Sequence, residues 1–282
     1  MTMKDNYVAD IGDYGKYALL RHLTPSGEDR TAPPALGVVW YLTEHTEENN
    51  DGRHTRYLED AAGYRALDPV LFDHLADIIA RARDHAGHGD GTPTPRSVAE
   101  VERRGILPAA DRFAATPVAG RGCPVATRAE CREAWWAAAA SAVRGADVVF
   151  LDPDNGLFPD GMTTSRINAD KSAAPHEVAD LLGRGQAVVL YHHLDRTKGG
   201  WPVRRAQILR AIRDAAGLAA DRASVLRIAA FSSRAFILIT PPGHRFADHL
   251  HVRHAGFVQL ADGVKGMHGR VHIDQAGVSL PA

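Results

Sequence analysis

Three stretches of the chain carry uninterrupted apolar runs: Leu36-Gly37-Val38-Val39-Trp40-Tyr41-Leu42, the Val148-Val149-Phe150-Leu151 core of Asp147–Asp152, and Ala187-Val188-Val189-Leu190-Tyr191. Runs of this length with β-branched residues mark strands buried on both faces. Between and around them the spacing changes to that of helices. A helical entry segment covers 6–23, and Leu71, Leu75, Ile78 and Ile79 set a helix over 70–86. A short polar helix is expected at 96–105 and an Ala-rich one at 128–144, where Trp135 and Trp136 serve as core and edge packing. Further helices are expected at 175–184, at 203–216 with Val203, Ile208 and Ile212 inward, and at 244–254, followed by a polar hairpin near 257–273. The Pro, Gly and polar stretches 24–35 and 87–95 read as loops.

Ser224–Phe231 and Ala235–Thr240 read as two more strands, separated by Ser232-Ser233-Arg234. A gap that short permits only a hairpin, because a parallel crossover needs a dozen residues. Alternating strands and helices with a terminal hairpin predict an α/β fold. The expected fold is a doubly wound, mainly parallel sheet with a C-terminal antiparallel hairpin strand, in one domain over 1–282. Ligands of such sheets bind beyond the C-terminal ends of the strands. The loops after Leu42, Leu151 and Tyr191 are therefore the places to look for chemistry.

Composition narrows the picture. In 282 residues, hydrophobic content is 45% and charged content 24%, ordinary for a globular chain. Net charge is -1, so any nucleic-acid contact would rest on local basic patches. No apolar run approaches the ~18 residues of a membrane helix, and Met1–Asn6 lacks the apolar core of a signal peptide. Cys123 and Cys131 match no zinc or disulfide spacing, so unpaired cysteines and a cytoplasmic, reducing setting are expected.

Asp152-Pro153-Asp154-Asn155-Gly156 follows the second strand directly. Pro153 ends the ladder and Asn155-Gly156 suits a tight turn, which projects two carboxylates and a carboxamide above the sheet. A plain strand-ending turn would favour the same residue types. Tyr191-His192-His193 ends the third strand, where His192 and His193 suit a base, a phosphate contact or simple packing. In 44–54, Glu44 and Asp51 suit hydrogen bonds to a ribose or a grip on a cation, and Gly52 is the one glycine there. Within Asp10–Tyr17, Tyr14 and Tyr17 suit base stacking, and Lys16 stands between them. Gly12 and Gly15 each cost a helix about 1 kcal/mol, so something outside the helix should require them. The later histidines, including His251 and His254, fit no zinc spacing and read as a solvated helical face.

The order of elements over about 6–250 resembles the class I S-adenosylmethionine-dependent methyltransferases, nearest the 23S ribosomal RNA adenine-N6 methyltransferase J type. The residues that carry it are the helix before the first strand, the dipeptide Asp152-Pro153 where the family has Asp-Pro-Pro-Tyr, and the closing hairpin. The resemblance implies a Rossmann-like methyltransferase-type sheet, S-adenosylmethionine as cofactor, and a nucleic acid or nucleotide substrate. It assigns Asp152 and Asn155 to the target amine, and Asp154, His192 and His193 to the pocket. Glu44, Asp51, Gly52, Tyr14 and Lys16 are the cofactor candidates. Two other readings stay open. In one, Asp152 and Asp154 hold Mg²⁺ for nuclease or phosphatase chemistry, as in the Asp-x-Asp loop of haloacid-dehalogenase-like phosphatases. In the other, the chain is a non-catalytic binding module on the same scaffold.

Overall fold

The computed structural model describes residues 5, 7–25, 33–43, 52–86, 96–120, 122–194, 198–217, 222–230 and 232–278. Helix α1 (Ile11–Leu23) leads into strand β1 (Leu36–Trp40). Helices α2 (Ala61–Tyr64), α3 (Pro69–Ala86) and α4 (Val98–Arg103) precede β2 (Ala110–Ala114) and α5 (Arg128–Ala142). Then come β3 (Val148–Asp152), the two-residue strands β4 (Gly156–Leu157) and β5 (Ser172–Ala173), α6 (Pro175–Gly183) and β6 (Ala187–His193). The chain closes with α7 (Gly200–Ala216), β7 (Arg222–Ala230), β8 (Ser232–Thr240), α8 (Ala247–Asp262) and β9 (Val271–Val278).

Seven strands share one sheet in the order β2-β1-β3-β6-β8-β7-β9, while β4 and β5 pair apart. Strands β2, β1, β3 and β6 run parallel, and β8 is antiparallel to both of its neighbours, β6 and β7. The fold is α/β with a mostly parallel central sheet, and the five expected strands lie in it.

Five expectations need correction. Val203 of α7 is 43% exposed and does not face inward with buried Ile208 and Ile212. Ser232–Arg234 belong to β8 and pair with Ile228–Ala230, so the ladder runs almost to the turn. The segment expected as a polar hairpin is instead the end of α8 followed by β9, which pairs with β7. Its Val271 is buried, and the mixture of His, Asp and Gln along β9 hid its alternation. Strand β2 was not expected, because Ala110-Asp111-Arg112-Phe113-Ala114 is a short edge strand whose apolar residues are interrupted by Asp111 and Arg112. Finally, His251 and His254 are buried, not solvated, and both ring Nδ1 atoms bond Ser224 Oγ, at 2.9 and 2.8 Å. Trp135 and Trp136 are buried as expected.

Pleating sends alternate strand residues to two cores. Val38, Trp40, Phe150, Val189, Phe236 and Leu238 pack on one face with α1, α3 and α8. Val39, Val149, Leu151, Val188, Leu190 and Ile237 pack on the other with α5, α6 and α7. This parity decides which side of the sheet each candidate side chain occupies.

Candidate functional site

The first strand turns one way to β2 and the chain returns on the other side as β3, so the topological switch point lies between β1 and β3. Trp40, the last residue of β1, is in register with Asp152, the last of β3. Asp152 shares its face with Phe150 and therefore points towards α1. Lys16 of α1 meets it there, with Nζ 3.1 Å from Asp152 Oδ2 and 2.7 Å from Asp13 Oδ1. Lys16 Nζ also sits 4.9 Å from the Tyr17 ring centroid and 5.7 Å from that of Trp40. Asp152 is 1% exposed and Lys16 5%. Such a buried cation with two carboxylates is held by pairing, because either charge alone would carry a desolvation cost of several kcal/mol.

Helix α1 delivers this group through its spacing. Asp13, Lys16 and Tyr17 fall at i, i+3 and i+4, which is one face of a helix. Tyr17 OH donates to Asp13 Oδ2 at 3.2 Å. Asp10 caps the helix by accepting from the Gly12 and Asp13 amides at 2.6 and 3.0 Å. The two glycines now have a reason. A Cβ at Gly12 would overlap the Arg234 guanidinium, and one at Gly15 would press on Ile228 at 3.3 Å. Small residues let α1 lie close against β7 and β8 and bring Arg234 within 3.8 Å of Asp10. Ahead of the cap, Ala9 adopts φ +67, a left-handed backbone that a non-glycine residue adopts at some energetic cost.

Arg96 adds a third cation. It donates to the carbonyls of Val8 and Gly52 and lies in the field of Asp13 and Asp10. Three carboxylates, Asp10, Asp13 and Asp152, thus face three cations, Lys16, Arg96 and Arg234. Burial pushes the Asp13 carboxyl up to about 6, against the pull of Lys16 and with the help of Asp10 and Asp152. Burial works against charge on Lys16, but the Asp13 and Asp152 carboxylates outweigh it and hold the ammonium well above its ordinary pKa.

His192 takes the opposite face. It is fully buried, its Nδ1 accepts from the Leu157 amide at 3.2 Å, and its ring stacks on Trp201 of α7 with centroids 5.9 Å apart. That amide bond fixes the tautomer, since Nδ1 must carry the lone pair. Gly156, at φ +87, sits so close that an added Cβ would lie 2.8 Å from the His192 Cα. Asn155 is exposed and its amide donates to the Lys171 carbonyl at 2.9 Å, while Arg204 Nη2 donates to the Leu157 carbonyl at 2.8 Å. Buried Arg132 bonds Glu177 at 2.7 and 3.0 Å and the carbonyls of Ser172 and Ala169 at 2.9 and 3.4 Å. Tyr41 OH donates to Glu177 Oε2 at 2.9 Å. This network braces the excursion that carries Asp154 and Asn155.

The candidates therefore divide. Asp152 and Lys16 meet at the switch point, and Arg96 ties Gly52 to the stretch just before α1. His193 lies on the Asp152 side, its Nδ1 3.4 Å from Tyr191 OH. Half-buried Asp154 and exposed Asn155 sit in the loop after β3. His192 braces that loop from the other face, so it positions backbone and does not share a cleft with Asp152. Tyr14 is fully buried, stacked on Tyr57 at 5.1 Å with its hydroxyl bonded to the Tyr64 carbonyl at 2.7 Å, which makes it a core residue. Glu44 and Asp51 lie outside the described residues. Asp13, Arg96 and Arg234 were not among the sequence candidates. The Asp13/Lys16/Tyr17 spacing was a usable signal, whereas Arg96 and Arg234 reach the site only through tertiary contacts. Among the described residues, no three His, Cys, Asp or Glu side chains gather as a metal ion would require.

No protein-family model, curated protein or solved structure matches this chain.

Proposed function

We propose that the chain is an S-adenosylmethionine-dependent methyltransferase acting on an amine of nucleic acid or a nucleotide, on a Rossmann-like sheet of the methyltransferase type. The observation that carries the reading is the insertion of antiparallel β8 between β6 and β7, with Asp152-Pro153-Asp154-Asn155 closing the strand beside β1 at the switch point. The sequence resemblance rests on that hairpin and that strand end.

The residues at the switch point fit the cofactor by charge. Its amino-acid end carries an ammonium, a sulfonium and a carboxylate, and the site offers both signs through Asp10, Asp13, Arg96 and Arg234. When bound, the cofactor supplies an activated methyl group. Asp152, paired with Lys16 at 3.1 Å, accepts a hydrogen bond from the target amine together with the Asn155 carboxamide, and so aims the nitrogen lone pair. His193 contributes to the wall on the same side. Alignment of the two reactants is the main demand of methyl transfer, so few reacting side chains are needed.

The test is incubation of the protein with methyl-labelled S-adenosylmethionine and, in turn, RNA, DNA and free nucleotides, with a metal chelator present. Label on an exocyclic nitrogen, lost in Asp152→Ala, supports the reading. Absence of transfer to every acceptor, together with cleavage of nucleic acid that needs Mg²⁺, would replace it with phosphoryl chemistry.

A further inference from the structure

The two cysteines are not unpaired, as their spacing had suggested: Cys123 and Cys131 form a disulfide, with Cα atoms 6.7 Å apart and a sequence separation of 8. Their position connects them to the candidate site. Cys123 lies in the loop between β2 and α5, and Cys131 lies about one turn into the 15-residue helix α5. Within that loop the Val118 amide donates to the Leu42 carbonyl at 2.8 Å just past the end of β1, on the rim of the switch point. Both cysteines are half-buried and so within reach of small thiols.

Buried Arg128 stands between the loop and the rest of the site. Its guanidinium donates to the carbonyls of Gly120, Cys123 and Ser165 at 3.2, 3.4 and 2.9 Å. Carbonyl partners orient the cation without cancelling its charge. A nearby guanidinium and the start of a helix both favour a thiolate, the reactive form of cysteine. The same stretch of α5 carries Arg132, whose bonds to Ala169 and Ser172 hold the segment that leads to Lys171. Lys171 in turn takes the Asn155 amide. Gly120 packs against the Asp170 side chain, so an added Cβ would lie 2.9 Å from Asp170 Cβ. The disulfide is thus joined by short links to the backbone of the Asp152–Asn155 loop.

We infer that Cys123 and Cys131 are a reversible thiol–disulfide site, exchanging with small thiols and disulfides of the glutathione class. The oxidation state of the pair sets how firmly the 165–172 segment holds Asn155. In the forward reaction the Cys131 thiolate attacks one sulfur of a glutathione-type disulfide, forming a mixed disulfide and releasing one small thiolate. The Cys123 thiolate then attacks the Cys131 sulfur, closing the intramolecular bond and releasing the second. The protein's two thiols are oxidised, one small disulfide is reduced to two thiols, and the two protons end on those products. The inference stands apart from the methyl-transfer reading.

The experiment equilibrates the full-length wild-type chain in glutathione buffers from strongly reducing to strongly oxidising. Alkylation and mass measurement count the free thiols, and hydrogen exchange follows peptides covering 115–120 and 165–172. Because the chain has two cysteines, each thiol lost is assignable. The expected result is a reversible titration inside the range of the buffers, with slower exchange in both segments on oxidation. In Cys123→Ser, the remaining Cys131 should form a mixed disulfide, more slowly when Arg128→Gln is added. A pair that stays oxidised in the most reducing buffer is a structural disulfide and overturns the inference. So does a pair that stays reduced in the most oxidising buffer, or one that titrates with no change in exchange at 165–172.

Discussion

Lys16 joins the first helix to the third strand: its ammonium lies 3.1 Å from Asp152 Oδ2 across 136 residues of sequence, and 2.7 Å from Asp13 Oδ1. With both carboxylates buried, this ammonium is structural before it is anything else. Lys16→Met leaves two buried negative charges beside Asp10. The expected loss is about 3–5 kcal/mol of unfolding free energy, the usual result of stripping one partner from a buried pair. Urea unfolding measures it. Asp13→Asn combined with Lys16→Met should lose clearly less than Lys16→Met alone, because one orphaned charge is gone. Equal losses would mean that Asp13 and Lys16 do not compensate each other.

The same helix predicts a pH signature. Asp13 is raised in the folded state from 3.8 to about 6, so between those values the native chain binds the extra proton and stability rises as pH falls. The gain over the window is roughly 3 kcal/mol. His254 acts in the opposite direction. Burial, with the charge of His251 second, lowers it from 6.5 to about 3, so its contribution is present above pH 6.5 and is lost as pH falls towards 3. Unfolding of wild type and Asp13→Asn from pH 7 to 4 separates the two. The difference, wild type minus variant, should move in favour of wild type as pH falls. A flat difference would remove the assigned titration.

Gly156→Ala tests the brace on the Asp152–Asn155 loop. The position combines φ +87 with a close approach to the His192 backbone, which cannot move aside as a flexible side-chain end can. A loss of about 1–3 kcal/mol is expected, by the cost of a strained backbone position. Ligand binding at the switch point should weaken further than the stability loss accounts for. Gly12→Ala meets only the far end of the Arg234 side chain and should cost less in thermal melting. The reverse ranking would place the critical approach at α1.

Much of the architecture was legible because burial on two faces leaves an unmistakable apolar run. Strands β1, β3 and β6 announced themselves in this way, and so did the hairpin of β7 and β8, since no crossover fits its gap. Edge strands β2 and β9 carry too many polar residues to stand out. The buried polar networks were less legible still. Ser224, His251 and His254 are spread over two elements, and their burial depends on α8 lying over β7. Asp152 was visible at its strand end, but Lys16 as its partner required knowing that α1 crosses that end. His192 and Asp152 looked like neighbours until strand parity put them on opposite faces.

On the proposed reading, the switch point between β1 and β3 binds S-adenosylmethionine through the charged group around Asp152. Calorimetric titration of the full chain with S-adenosylmethionine, in chelator and then with Mg²⁺, tests this most directly, with Asp154→Asn run alongside. The expected result is saturable binding without divalent metal, retained in Asp154→Asn and lost in Asp13→Asn/Arg96→Met. A chain that ignores the cofactor but binds Mg²⁺, with that binding abolished in Asp154→Asn, would contradict it.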